Sequence, residues 1–330
     1  MAFSNYLGHE DQISGIEEYR LVGGKGDGLR LLQVRNGLGL QCSVSLDRCA
    51  DIPRLTFMGM NMGYFSPCGF VGSSYYDRRE DHWLKSFTAG FLTTCGLTTV
   101  GGDAQDGDEF LPMHGTIGNT PAEHAHWYRK GDLLVVEADM KDCVLFGRKL
   151  QLHRVLEFAT TENKLTLKDT VESHGDEASP VMVLYHMNMG YPLLSEQSEL
   201  IIPSDRVIPR NAHAAEGLQQ HLQFPTPTPG YEEQCYFHEF DHKGLAKIYN
   251  HGIGLGLAIS FDPKNLNSFC QWKMPGAHDY VLGLEPGNCT PDGRVAMREQ
   301  GRLQMLNPGE KTTFQYDVVF YSDYNECKNA

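Results

Sequence analysis

The strongest constraint on this chain is the spacing of its apolar residues, which repeats every two positions rather than every 3.6. Leu40, Cys42, Val44 and Leu46 alternate with Gln41, Ser43 and Ser45. Successive strand side chains point to opposite faces, so this pattern predicts a half-buried strand. Leu165, Leu167, Asp169 and Val171 repeat it, as do Phe314, Tyr316, Val318 and Phe320. Strand-like runs also cover 29–34, 133–138, 150–158, 181–188, 254–261 and 280–285. Between them stand turn signals: Gly26-Asp27-Gly28, Asn36-Gly37, Pro291-Asp292-Gly293 and Asn307-Pro308-Gly309. Helical patterns are short and confined to 77–86 and 212–220. Without alternating strand and helix, a doubly wound sheet is excluded. An all-β antiparallel sandwich or barrel is expected, with helix below about one fifth. Residues 1–330 are read as one domain with its core at about 20–322, and the Pro/Thr stretch 225–230 as a surface loop.

Composition narrows the function. Asp and Glu number 42 against 28 Lys and Arg, a formal charge of −14, and no basic cluster stands out. A nucleic-acid ligand or an anionic lipid surface is therefore not expected, and a neutral small molecule is. Nine scattered cysteines without a CxxC pair read as reduced, mostly buried thiols. The first residues carry neither a basic start nor an apolar stretch, and no run reaches the ~20 apolar residues of a membrane span. A cytoplasmic location is expected, and a homodimer is compatible with the sequence.

Three segments put titratable groups where apolar ones belong. They are Met113-His114-Gly115 after a Gly-rich loop, Tyr185-His186-Met187-Asn188, and Leu284-Glu285-Pro286-Gly287 at a strand end. His186 and Asn188 share a strand face, ~7 Å apart along it. Taken singly, a buried His bonded to a carbonyl is the commoner circumstance.

Taken together, in order and spacing, the three segments resemble the galactose mutarotase-like (aldose 1-epimerase) superfamily, and more closely its DUF4432 branch. The closing Leu306-Asn307-Pro308-Gly309-Glu310 followed by an alternating strand is similar to that family's last hairpin. The resemblance implies an antiparallel supersandwich with few short helices and a sugar bound in a concave face. It implies a general base at Glu285, a general acid at His186, and a hydrogen bond from His114 near the anomeric oxygen. Asn188 would orient a hydroxyl. Arg48, with Asp51 beside it, would hold hydroxyls at the rim, although both also read as a local ion pair. Trp272 offers a flat apolar face to a pyranose ring or packs in the core, and His238 is a further sugar-pocket candidate. Acid and base flanking one ring predicts a gap of about 5–8 Å between His186 and Glu285. The family's substrate-holding Asp has only a loose echo here, in Phe240-Asp241-His242.

Other motifs carry less. His238-Glu239-Phe240-Asp241-His242 matches H-E-x-x-H, but that zinc motif works only on a helix, and this segment lacks helical spacing. His124 and His126 share a strand face without identifiable further ligands. The Gly23–Gly28 segment leads into a strand, so it is a turn rather than a phosphate loop. The Gly101–Asp108 loop lacks the flanking helices of a calcium site. The expectation is therefore a carbohydrate-binding, aldose 1-epimerase-like isomerase of a sugar or sugar derivative, without cofactor. A divalent metal on His114, His186 and Glu285, serving a different sugar isomerisation, stays open, as does a non-catalytic carbohydrate sensor.

Overall fold

The computed structural model describes residues 5–330; residues 1–4, part of the stretch read above for a leader, lie outside it. Strand accounts for 48% and helix for 12%, so the alternating period, not helical propensity, dictates the architecture. The strands that matter are β1 (Gly15–Arg20), β2 (Arg30–Arg35), β3 (Leu40–Ser45), β4 (Asp51–Phe57), β5 (Leu92–Leu97) and β6 (His124–Lys130). Next come β7 (Leu133–Cys143), β8 (Lys149–Ala159), β9 (Lys164–Ser173), β10 (Ser179–Met189), β11 (Ser198–Ile201) and β12 (Arg206–Pro209). The last are β13 (Gln234–Glu239), β14 (Gly244–Asn250), β15 (Leu255–Phe261), β16 (Ser268–Pro275), β17 (Tyr280–Gly287) and β18 (Lys311–Tyr321).

Two antiparallel sheets hold them. The larger runs β1-β2-β3-β4-β5-β10-β17-β16-β13-β12, and the smaller β6-β7-β8-β9-β18-β15-β14-β11. Asn36-Gly37 does open a hairpin, with Arg35 opposite Gln41 and Gly37 at φ 84°. The predicted helical stretches are short: a 3-10 segment over Glu80–Ser86, and Ala212–Glu216 followed by Leu218–Gln220, broken at Gly217. The 225–230 stretch is an exposed loop. Among the described residues, no helix is long and apolar enough to cross a membrane.

Strand β10 shows how sequence places the site. Its odd positions, Val181, Val183, Tyr185, Met187 and Met189, join the inter-sheet core, where the Tyr185 ring meets Tyr316 of β18 at 4.9 Å. Burying each such side chain contributes roughly 1.5–3 kcal/mol. The even positions point the other way, and Met182 and Leu184 pack there with Trp83 and Phe87. By the same alternation His186 and Asn188 project to this outer face.

The two sheets are also joined by buried charge. Arg154 of β8, with no exposed surface, donates to Asp169 Oδ1 (2.9 Å) and Oδ2 (2.7 Å), to Asp51 Oδ1 (2.7 Å), to the Cys49 carbonyl (2.8 Å) and to the Thr94 hydroxyl (2.8 Å). Tyr185 adds a 2.9 Å bond to Asp169. Asp51 is thus committed to the core: it accepts from the Thr94 N–H (2.7 Å) and hydroxyl (2.6 Å) as well as from Arg154. Burial raises its pKa, with Arg154 pulling it back.

Candidate active site

A cleft of about 630 Å³ opens on the outer face of β10, β17 and β16, and His114, His186, Trp272 and Glu285 all line it. Register explains the convergence. Cys270 of β16 lies directly opposite Glu285 of β17. Asn188 of β10 lies opposite Gly283, and Gly283 opposite Trp272. Extending the β10–β17 register by two residues sets His186 across from Glu285 on the same face. Residues about 100 positions apart in sequence therefore stand side by side.

His186 Nδ1 stands 3.3 Å from Glu285 Oε1, with the side chains 8% and 3% exposed. The two groups are in contact, which corrects the expected 5–8 Å gap. They are adjacent across a strand pair, where side chains meet rather than face each other over a void. The separation suits an ion pair, yet the atoms are not aligned as a hydrogen bond, and each remains without a hydrogen-bond partner. His114 Nδ1 and Asn188 Oδ1 are also buried and unpartnered. Buried polar atoms without partners are uncommon and costly, and four of them cluster here.

The imidazoles sit among aromatic rings. His186 lies 5.4 Å from Phe87, 5.2 Å from Trp272 and 5.8 Å from His114, and His114 lies 4.7 Å from Trp83. Trp272 is fixed by a 2.6 Å bond from Nε1 to Glu233 Oε2. Burial lowers the pKa of His186 to about 3, with His114 reinforcing the shift, and lowers that of His114 to about 4, with Arg210 reinforcing it. Burial also pushes the Glu285 carboxyl well above the usual carboxylate range, aided by Cys235 and Glu233; Arg210 and the Cys270 thiol oppose this without offsetting it. Both imidazoles are therefore neutral near neutral pH, and burial biases the carboxyl toward its protonated form.

His114 owes its aim to local backbone. It adopts φ 54°, its N–H donates to the Gly101 carbonyl (2.8 Å), and its own carbonyl accepts from Gly96 (3.0 Å). Gly115 follows at φ 72°, where a Cβ would collide with the Gly96 carbonyl. The His-Gly pair is thus a sharp left-handed bend that only glycine can complete.

Four expected contacts are placed elsewhere. Arg48 is not at the rim of the cleft: Nε donates to the Gly118 carbonyl (2.8 Å), Nη1 to Val71 (2.6 Å) and Nη2 to Ser86 (3.0 Å). Its donors are spent holding loops together, and it lines a separate void of about 20 Å³, room for little more than one water. Asp51 belongs to the Arg154 cluster. His238 sits on the opposite face of β13 from Cys235, bonded to Ser204 Oγ (2.9 Å) and Gln271 Oε1 (3.2 Å); three positions along the strand from Cys235, an odd separation, it cannot share the cleft with it. Asn188 is fully buried below the cleft lining, its amide donating to the His186 carbonyl (2.9 Å). His238 and His242 do not form a metal pair on a helix, since β13 ends at Glu239.

Sequence reasoning passed over Trp83, Phe87, Arg210, Glu233, Cys235 and Cys270, all of which line the cleft. Cys270 carried a usable signal, because it shares a strand face with Trp272. Among the described residues, Glu80, Asp81 and His82, on the surface, bring three ligand atoms within 4.8 Å of one another; His114, His186 and Glu285 do not.

Comparison with known proteins agrees with this fold. A Klebsiella pneumoniae protein provisionally designated an aldose 1-epimerase superposes with a TM-score of 0.89 at 25% identity, covering 95% of this chain and 85% of its own. A galactose mutarotase-like protein of Clostridium acetobutylicum gives 0.68 at 14% identity, covering 94% and 99%. Galactose 1-epimerase of Lactobacillus acidophilus gives 0.64 at 15% identity, covering 94% and 100%. No curated protein matches the sequence. The model of the family described as a domain of unknown function, DUF4432, matches residues 26–319. With nearly the whole chain inside that match, the protein belongs to the DUF4432 family and has the galactose mutarotase-like fold.

Proposed function

We propose that this chain is an aldose 1-epimerase-like isomerase that interconverts the anomers of a free sugar or sugar derivative by acid/base chemistry, without a cofactor. The observation that carries this reading is the contact between His186 Nδ1 and Glu285 Oε1, 3.3 Å apart and unpartnered in an aromatic-lined cleft. The cleft volume of about 630 Å³ falls within the usual range for small-molecule sites. Trp272 offers its face to the apolar side of a sugar ring.

Anomer exchange requires one base to take the O1 proton while one acid delivers a proton to O5. The C1–O5 bond breaks as the C1 carbonyl forms. Rotation about C1–C2 and the reverse transfers then close the ring on the other face. A carboxyl and an imidazole sharing one proton supply both partners. Burial raises the Glu285 pKa and lowers that of His186, which favours the carboxyl as the holder of that proton and so makes Glu285 the acid and the neutral His186 the base. This is the opposite of the assignment expected from sequence. The two groups are close enough to titrate as a unit, and the single proton rather than its owner is what the chemistry needs. His114, neutral beside them, serves as a hydrogen-bonding partner for the anomeric oxygen.

Magnetisation-transfer NMR on a panel of aldoses tests this reading. Exchange between α and β resonances above the spontaneous rate supports it. Sugar binding without exchange makes the chain a carbohydrate sensor instead, and exchange only on addition of a divalent cation makes it a metal-dependent isomerase.

A further inference from the structure

We propose that Gly283 is a positioning residue for Glu285, its missing side chain being the seat in which the carboxyl lies beside His186. The inference rests on the acid/base reading above. Gly283 occupies the interior of β17, is buried, and is not among the glycines of positive φ. Its backbone therefore does not require glycine, and glycine in a strand interior costs stability through lost packing and added chain entropy. Space is the remaining reason. A Cβ at 283 would fall far inside van der Waals contact with Glu285 Oε1, 3.1 Å from Glu285 Cδ and 2.9 Å from Trp272 Cβ. Glu285 thus folds back along its own strand over the bare position two residues earlier, on the same face. That fold brings the same oxygen, Oε1, within 3.3 Å of His186 Nδ1. Asn188 and Trp272 flank the seat from the neighbouring strands.

Adding one methyl group by Gly283→Ala therefore fills the seat and turns the carboxyl away from the imidazole. Two readouts separate this from a general packing defect. In ¹⁵N spectra of histidine-labelled protein, the Nδ1 resonance of His186 should leave its wild-type position and approach that of Glu285→Ala. Anomer exchange should slow about 10²-fold, the usual worth of a positioned acid or base, with sugar affinity within a few fold, and Glu285→Gln added to Gly283→Ala should cost nothing further. An Nδ1 resonance unmoved by Gly283→Ala overturns the proposal. Should the wild type exchange no aldose, the acid/base reading falls while the resonance still decides the seat. Should Gly283→Ala fail to fold, Gly283→Ala/Glu285→Ala should recover a folded chain, because the colliding carboxyl is gone. A double variant no more stable than the single one also overturns the proposal.

Discussion

His186 Nδ1 and Glu285 Oε1 stand 3.3 Å apart with almost no solvent around them, and neither makes a hydrogen bond. Such a contact is a cost to the free protein, held in place by the strands on either side. Sites of this kind trade stability for function.

The first prediction follows from that cost. Burial raises the Glu285 pKa above its ordinary 4.5, so the folded state binds the proton more tightly than the unfolded chain does. The associated stability is complete below about 4.5 and is lost as pH rises through the folded-state value. Glu285→Gln has no such loss. In urea unfolding, the variant should gain on the wild type as pH rises from 4.5 to 8. A gap that stays constant with pH would contradict the raised pKa.

The histidines act at the other end of the scale. Burial lowers His186 to about 3 and His114 to about 4, so their contribution is complete above the ordinary 6.5 and fades as pH falls toward those values. Because Glu285 contributes in the opposite sense over this range, the effect is read against a variant: His114→Gln should gain stability on the wild type as pH falls from 6.5 to 4. A stability difference between variant and wild type that stays constant with pH would remove His114 as a cause.

Arg48 should matter to stability and not to the ligand. Arg48→Met orphans three buried carbonyls, each costing about 1–3 kcal/mol when left unpaired. Urea unfolding should show a loss of at least about 2 kcal/mol, with sugar affinity of the folded variant changed less than about twofold. A folded variant of normal stability that binds sugar tenfold more weakly would return Arg48 to the site.

The inter-sheet charge cluster carries a larger penalty. Arg154→Met leaves Asp51 and Asp169 buried without their cation, and breaking such a pair from one side costs about 3–5 kcal/mol. Thermal or urea unfolding reads this directly. A loss below about 1 kcal/mol would mean that the carboxylates find other partners.

Much of the fold and of the site was legible in the sequence, for reasons that separate cleanly. Strands such as 165–171 and 314–320 have one face in the core, so alternation writes itself into their composition. β10 is buried on both faces, and there the informative signal was two polar residues, His186 and Asn188, in an apolar run. Glu285 and the bend at His114-Gly115 were visible as chemistry out of place. Arg48 and Asp51 misled because a buried arginine that stitches carbonyls and one that holds a ligand look alike in one dimension. His238 misled through phase: whether a strand residue faces cleft or core depends on a single-residue register that the sequence of β13 does not fix. Trp83 lies in, and Phe87 directly after, a 3-10 segment whose placement over the cleft is a matter of tertiary packing alone.

Trp272 should contribute binding without chemistry. Trp272→Ala removes an aromatic face worth roughly 0.5–1.5 kcal/mol, so sugar affinity by calorimetry should fall roughly 2- to 12-fold, with turnover at saturation nearly unchanged. A fall in turnover at unchanged affinity would place Trp272 with the reacting atoms instead.

The central claim is that Glu285 and His186 together hold the proton that opens and closes the sugar ring. The most direct measurement is the anomer-exchange rate of Glu285→Gln against wild type at saturating aldose, by magnetisation-transfer NMR. Gln keeps the size of the side chain but can no longer pass a proton. The rate should fall about 10²–10⁴-fold, the usual worth of a positioned acid or base, while sugar affinity stays within a few fold. A Glu285→Gln variant that binds the sugar and exchanges its anomers at the wild-type rate would contradict the claim.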